Sequence, residues 1–513
     1  MDAEQLPLVH RDGSGSGAAA GSDSLQQQLS SYHERQRARQ KRRHRSKTVG
    51  RATVGFLAAS LLALLLVALS WPAQRNERAL ELRTLLDAYE HARNFSGVVR
   101  LSHNGQKKLQ QAMGLANVPF AQPMREHSVF PMGAHVQLLT AVAMYQLQEK
   151  RVVALERPVG EYLTVKDWKE FGVLKNQTVW CPKVGKAGGC EQVTFQHLLY
   201  MGSGIQSRET KRAQTLETMG SFGRQVGEFI DAPLAFKPGT SYKFADENYV
   251  LLAYMVEKLS GLPFGEYLEK HVFNVLGLKL TTFDPFAGAL GARHGLVDQY
   301  VQFYAHRKPN VSDSESSSAS DSSSGPSQIA EKHLHRMGTG SCAIYQGLSN
   351  SLHGLQSTGK DMHKIYTDLF HEHGHQSKLL QPKSIEQILN TRNPAFPAFG
   401  QGIGVDFEET QPGVTSTWPA KIAFCGSTAC TTTCMAMQMP AANMSIVASA
   451  FSNDVRLYFP SLDAFHAYKP RDFLEKRDAA AEKNAFEKND GEVNTLAWSL
   501  LQLFLRYYAA PDN

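Results

Sequence analysis

No Cys-x-x-Cys pair occurs anywhere in this chain, and only six cysteines are spread over its 513 residues. Knuckles, ribbons and other structural zinc modules built on such pairs are thereby excluded, and nothing else in the sequence calls for a metal or a cofactor. No unit of 20–50 residues repeats, so solenoids and propellers are excluded as well. Ser-x-x-Lys, a spacing that sets a nucleophile one helical turn from a base, occurs once, at Ser357–Lys360. Long, strongly hydrophobic runs are equally rare. The exception is Val54–Trp71, VGFLAASLLALLLVALSW.

That run is long enough to cross a bilayer as a helix, which takes roughly 20 residues. The formal net charge is +6, and the excess is concentrated just before the run, in Arg35, Arg37, Arg39, Lys41, Arg42, Arg43, Arg45, Lys47 and Arg51. A basic block in that place reads as the cytosolic flank of a signal anchor rather than as a nucleic-acid patch, and no nucleic-acid partner is expected. The expected layout is a disordered cytosolic tail over 1–51, one membrane-spanning helix over 52–71, and a lumenal or extracellular domain over 72–513. This is a type II topology in the secretory pathway or at the cell surface. A mitochondrial membrane is the alternative suggested by the arginines, but Asp2, Glu4, Asp12 and Asp23 do not suit a transit peptide.

Everything that suits an oxidising compartment lies after the span. Cys181, Cys190, Cys342, Cys425, Cys430 and Cys434 are disulfide candidates. Cys181 and Cys190 flank a Gly-rich loop, and Cys425 has Cys430 or Cys434 as a candidate partner. Asn94, Asn176, Asn310 and Asn443 head Asn-x-Ser/Thr sequons and are glycosylation candidates.

Apolar spacing predicts helices over 78–92, 134–150, 193–199, 249–259, 359–370, 383–389 and 493–508. Strands are predicted over 95–101 and 108–114, joined by a tight Asn104-Gly105 turn, and over 422–425, 431–439 and 445–451. A Ser/Asp-rich insertion over 306–330 is expected to be disordered. The helix from Ala134 is apolar on most faces. Its N-terminus points free N–H groups and a positive partial charge at whatever sits there.

The order and spacing of certain pieces are similar to the serine β-lactamase and penicillin-binding protein superfamily, in its class C β-lactamase-like branch. That branch also holds esterases and peptidases. The resemblance spans roughly 78–508. It is carried by Phe130–Gly133, Leu147–Leu155, Pro158-Val159, Tyr162-Leu163, Thr194–Leu199 with Gly202-Ser203-Gly204, and Pro238-Gly239-Thr240. Tyr249-x-Leu251-Leu252, Ser357-Thr358 with Asp361-Met362, and the strand at Gly426 complete it. It implies an α+β fold: an antiparallel sheet flanked by helices, beside a mostly helical lobe, with the site between them.

The same resemblance implies a mechanism. A Ser attacks a carbonyl, a Lys one turn on takes its proton, a Tyr helps move protons, and a His/Lys-x-Gly strand lines the opposite wall. A nucleophile needs an activated oxygen or sulfur, and proton transfer needs a group that titrates. Position by position, this chain supplies neither. The Ser position is Ala134 and the Lys position is Gln137. The Tyr position is Phe244, followed by Ala245, and the Asn position is Asp246. The His/Lys position is Phe424, followed by Cys425 and Gly426. What the resemblance leaves is a cleft lined by Ala134, His135, Gln137, Phe244, Asp246, Phe424, Gly426 and Ser427. Its oxyanion hole consists of backbone N–H groups, those of Ala134 and Ser427, which do not depend on side-chain identity.

The expected protein therefore binds a small molecule, a peptide or another protein in an inactive cleft. The alternative is a hydrolase rewired around His135 with Asp246, Cys425 or Ser357. Ser203, in the Gly-rich turn, is read as structural, and Ser357 or Thr358 is read as the cap of the helix that follows, with Asp361 in its first turn.

Overall fold

The structure is a computed structural model. It describes residues 37, 74–92, 95–173, 179–185, 188–207, 221–284, 296–297, 300–306, 334–341, 351–407, 409–411, 414–416, 418–427, 431–441, 443–459 and 496–505. The run Val54–Trp71 lies outside them. Among the described residues no helix is long and apolar enough to cross a membrane. The chain divides into two compact units, Met1–Glu81 and Leu82–Asn513, and the sheets and the candidate site belong to the second.

Its elements, in chain order, begin with helix α1 (Gln74–Asp87), which enters this unit at Leu82, and the hairpin strands β1 (Gly97–His103) and β2 (Gln106–Met113). Asn104 and Gly105 both take positive φ between them, as the sequence suggested for a tight turn. Then come β3 (Phe130–Pro131), α2 (Val136–Glu149), α3 (Glu247–Ser260), β4 (Thr282–Phe283) and β5 (Leu355–Ser357). The remainder are α4 (Gly359–Phe370), α5 (Pro382–Asn390), β6 (Gly404–Asp406), β7 (Lys421–Ser427), β8 (Thr432–Ala441) and β9 (Met444–Ser452). A further helix covers 496–505.

The main sheet runs β6-β7-β8-β9-β1-β2, antiparallel throughout. Alternation along its central strands explains its two-sided burial. Met435 and Met437 of β8, with Val447 and Phe451 of β9, join the core that contains α2, α3 and α4. Cys434 and Ala436, with Ile446, Ala448 and Ala450, face the other way, toward Leu86, Leu496, Leu500 and Leu501. The sheet is thus a middle layer between helices, which is why these strands read as nearly continuous apolar runs.

A second, three-stranded sheet, β3-β5-β4, holds the start of α2 in place. A third joins Tyr300–His306, Leu334–Ser341 and Asp454–Phe459. It corrects one boundary: His306, expected to open the Ser-rich insertion, ends a strand paired with Leu334–Ser341. The rest of that insertion, and the 1–51 tail apart from Arg37, lie outside the described residues.

Candidate functional site

The site is assembled at the first turn of α2. Gly133, at φ 53°, turns the chain out of β3 into a short 3₁₀ segment, Gly133–His135, which runs directly into α2. The segment is tied down from two sides. Met132 N–H donates to the Leu355 carbonyl at 2.9 Å. Its carbonyl accepts from the Thr433 hydroxyl at 3.4 Å, and Thr433 also donates to the Gly426 carbonyl at 2.9 Å. Strand β7 packs against this turn with no room to spare. A Cβ on Gly426 would lie 2.1 Å from the Met132 carbonyl oxygen and 2.7 Å from the His135 ring. From beneath, Gly402 (φ 76°) presses on the peptide of Gln137, where a Cβ would lie 2.7 Å from the backbone carbon.

Ala134 is buried at this junction and offers a methyl group. Gln137 is fully buried, and its Nε2 donates to Asp246 Oδ1 at 3.0 Å. Its Oε1 has no hydrogen-bond partner among the described residues. Asp246, just ahead of α3, is partly exposed, and its other carboxylate oxygen lies 3.1 Å from His353 Nε2, within ion-pair distance. His353 sits in the turn Ser351–Gly354, which leads into β5 beside the Gly133–His135 segment. Sequence reasoning passed over this residue. It belongs to no motif, and only the β3–β5 pairing brings it to the site. The one usable signal is its place just before the Ser357-Thr358 helix start.

His135 is placed otherwise than expected. Its ring is buried, with Nε2 donating to the Thr433 carbonyl at 2.8 Å and an edge-to-face contact with Phe424 at 5.5 Å. It faces strand β8 and the Phe424 ring, so it neither lines an open cleft nor partners Asp246. Burial pushes its pKa down to about 4, and the Thr433 carbonyl only partly offsets this. His363 is likewise buried, between the hydroxyls of Ser102 (2.7 Å) and Ser449 (2.9 Å). Burial, and secondarily Arg100, depress its pKa well below the usual value.

Both histidines are neutral in the fold and take up protons more readily when unfolded. They contribute stability above pH ~6.5 that is lost as pH falls toward about 4. Thermal unfolding followed from pH 8 to pH 4 should show the midpoint falling below pH ~6.5. His135→Gln, which keeps a donor for Thr433, should flatten that slope, and a slope unaltered by the substitution would contradict the assignment.

Two other rewired nucleophiles are removed by position. Cys425 is bonded to Cys434, its cross-strand partner on β8, and packs on the sheet face away from α2. Ser357 is buried in β5, with its Oγ 2.8 Å from the Thr281 hydroxyl. Thr358 caps α4 by accepting from Asp361 N–H at 3.2 Å. Ser203 donates to Asn248 Oδ1, a structural use. Phe244 is 44% exposed, and Phe424 is partly buried. Ser427 ends β7, next to Gly426.

Cys181 and Cys190 are bonded to each other. Cys342 and Cys430 lie outside the described residues. Asn443 is exposed in the turn between β8 and β9, while Asn94, Asn176 and Asn310 lie outside the described residues.

An antiparallel sheet between helical layers, with a buried helix start facing a Gly-bearing strand, is the β-lactamase/transpeptidase-like α+β fold. Residues 82–447 match the sequence model of the family described as Beta-lactamase, and the chain belongs to that family. Penicillin-binding protein 4* of Bacillus subtilis (strain 168) is 22% identical over 218 residues, 40% of this chain and 42% of that protein. A putative D-alanyl-D-alanine carboxypeptidase of Escherichia coli (strain K12) is 38% identical over 53 residues, 10% of this chain and 12% of that one. The chain thus spans under half the length of these relatives.

Among solved structures, a penicillin-binding protein from Bacillus halodurans superposes with TM-score 0.51 at 18% identity, covering 78% of this chain and 98% of its own. The D-amino acid amidase of Ochrobactrum anthropi SV3, complexed with L-phenylalanine amide, gives TM-score 0.51 at 16% identity, covering 79% and 100%. These likenesses show the fold. The family is hydrolytic, and its members are serine hydrolases.

Proposed function

We propose that this protein is a membrane-anchored, catalytically inactive member of the family, which binds a carbonyl-containing ligand where its relatives carry out hydrolysis. The observation that carries the reading is the Gln137–Asp246 hydrogen bond. An amide that neither gains nor loses a proton near neutral pH fills the base position and is fixed there by a carboxylate. Beside it Ala134 has no oxygen to activate.

Backbone donors survive such losses, so the N–H groups of Ala134 and Ser427 remain the expected contact for a ligand carbonyl or carboxylate. The anchor is the Val54–Trp71 run, with the basic block in the cytosol and the domain on the lumenal or extracellular side. The bonded pairs Cys181–Cys190 and Cys425–Cys434 suit that compartment.

A second reading is favoured by the Asp246–His353 pair, which has the composition of a base and its orienting carboxylate. In that reading a water replaces the missing nucleophile. One experiment separates the two. The full chain is titrated with N-acetylated amino acid amides by calorimetry, and the ligand is then recovered and analysed. Reversible binding with intact ligand is expected. Turnover would favour the second reading, and absence of heat from every member of the series would contradict the binding site.

A further inference from the structure

A cavity of about 720 Å³ lies at the far end of α3 from the candidate site. Asp246 stands at the start of that helix and Glu257 near its end, about 16 Å on by helical rise. With Glu257, three segments enclose the cavity: the helix Phe222–Gly227, the continuous helical run 264–276 and strand β4. The middle turn of that run, Glu269–Phe273, is π-helical, and both of its ends line the cavity. Wide turns of this kind are rare and recur at functional sites. Cavities of this size hold small organic molecules.

Part of the lining is aromatic. Phe264 meets Phe222 at 5.6 Å and Phe283 at 5.0 Å, both edge-on, and Phe222 meets Phe283 at 6.3 Å, so the three rings form a closed group. Phe222 and Phe264 are buried, whereas Phe283 is partly exposed. The charged part sets three carboxylates, Glu257, Glu266 and Glu269, against one ammonium, Lys279. Among the described residues none of the three carboxylates has an ion-pair partner, and Lys258, next to Glu257, is taken by Asp167. Glu266 and Glu269 are exposed. Glu257 is partly buried, and its Oε1 accepts from Phe264 N–H at 2.9 Å. Burial raises its pKa, the Phe264 N–H only partly offsets this, and Glu170 adds to the rise. Carboxylates withdrawn from water are normally paired. This one has an N–H and no cation.

We propose that this cavity is a second binding site, which takes a small organic cation: an ammonium or guanidinium group carried on an aryl or branched apolar body. The body packs on Phe283 and the rings beside it, and the cation supplies the charge that Glu257, Glu266 and Glu269 lack. Ring edges and faces suit such a body, and a ring face near a cation adds an attraction of its own. Three carboxylates repel an anionic ligand, and a neutral one gains the rings alone. The site shares no residue with that at Ala134 and stands or falls apart from it.

The test titrates the full chain, by calorimetry near neutral pH and at low salt, with three compounds that share one apolar body: 3,3-diphenylpropylamine, 3,3-diphenylpropanol and 3,3-diphenylpropionate. The amine is expected to bind at least about fivefold more tightly than the alcohol, and the acid more weakly than either. Glu257→Gln keeps an acceptor for the Phe264 N–H; combined with Glu269→Gln it should bring the preference for the amine near unity. Glu386→Gln, exposed on α5, should leave that preference unchanged. Equal affinities for amine and alcohol on the wild type, tighter binding of the acid, or no binding of the amine would overturn the site. So would a preference that persists undiminished in the double variant. Unfolding temperatures show whether the variants are folded, and if the double variant is not, the wild-type series decides. None of these outcomes bears on the site at Ala134, whose own test uses amides and leaves these carboxylates out.

Discussion

Ala134→Ser, Gln137→Lys and Phe244→Tyr together should restore little reactivity toward a fluorophosphonate. Adding Asp246→Asn should raise the rate by about 10- to 1000-fold. The reason is the carboxylate now bonded to the Gln137 amide at 3.0 Å. A lysine in that place would set its ammonium against Asp246, and an opposite charge that close favours the charged form by about 1–3 pKa units. Each unit lowers the share of free amine tenfold, and only the free amine can take a proton from the introduced serine. Neutralising Asp246 removes the brake. The measurement is the rate of adduct formation by intact mass across pH 6–10. A triple variant that labels as fast as the quadruple one would show that Asp246 does not hold the position in its present state. If neither variant labels, the geometry around Ala134 is not that of the relatives.

The largest stability effect is expected at Gly426. Its missing side chain lets β7 approach the start of α2, and a Cβ there would stand 2.1 Å from the Met132 carbonyl oxygen. That oxygen cannot easily give way. Met132 is pinned by its N–H to Leu355, and the carbonyl is held by Thr433. Gly426→Val should cost about 3 kcal/mol or more, as overpacking against fixed backbone does. Gly172→Ala is the contrast. Its φ is positive, but nothing lies within 4 Å of its added carbon, so only backbone strain of about 1 kcal/mol is expected. Thermal unfolding of the two variants side by side checks this. A Gly426→Val protein that melts with the wild type would contradict the close approach.

Much of the fold could be read from the chain because its signals are local. The hairpin at Asn104-Gly105 follows from turn chemistry, and α2 and α3 from long apolar runs, the second of them closed by Gly261. Side-chain type and position narrowed the cap of α4 to Ser357 or Thr358, and the structure selects Thr358. The candidate site was legible only in part. Ala134, Gln137, Phe244 and Asp246 stand in order along motifs, so the resemblance placed them. His353 does not, because it reaches Asp246 through the pairing of Phe130–Pro131 with Leu355–Ser357, two very short strands. His135 was misjudged for a related reason. The direction of its ring depends on the Thr433 carbonyl of a strand far along the chain. For Cys425 the sequence offered a disulfide with Cys430 or Cys434, and a thiol nucleophile as the alternative; strand register decides for Cys434, on the other sheet face. Contacts between distant segments decide side-chain direction, and no local pattern reports them.

The central claim is that a retained β-lactamase-family scaffold has lost its covalent chemistry at Ala134 and Gln137. Its most direct test is intact mass spectrometry of the wild-type chain after incubation with a fluorophosphonate probe and, separately, with a labelled penicillin. No adduct is expected with either reagent. A stoichiometric adduct that maps to the cleft would contradict it.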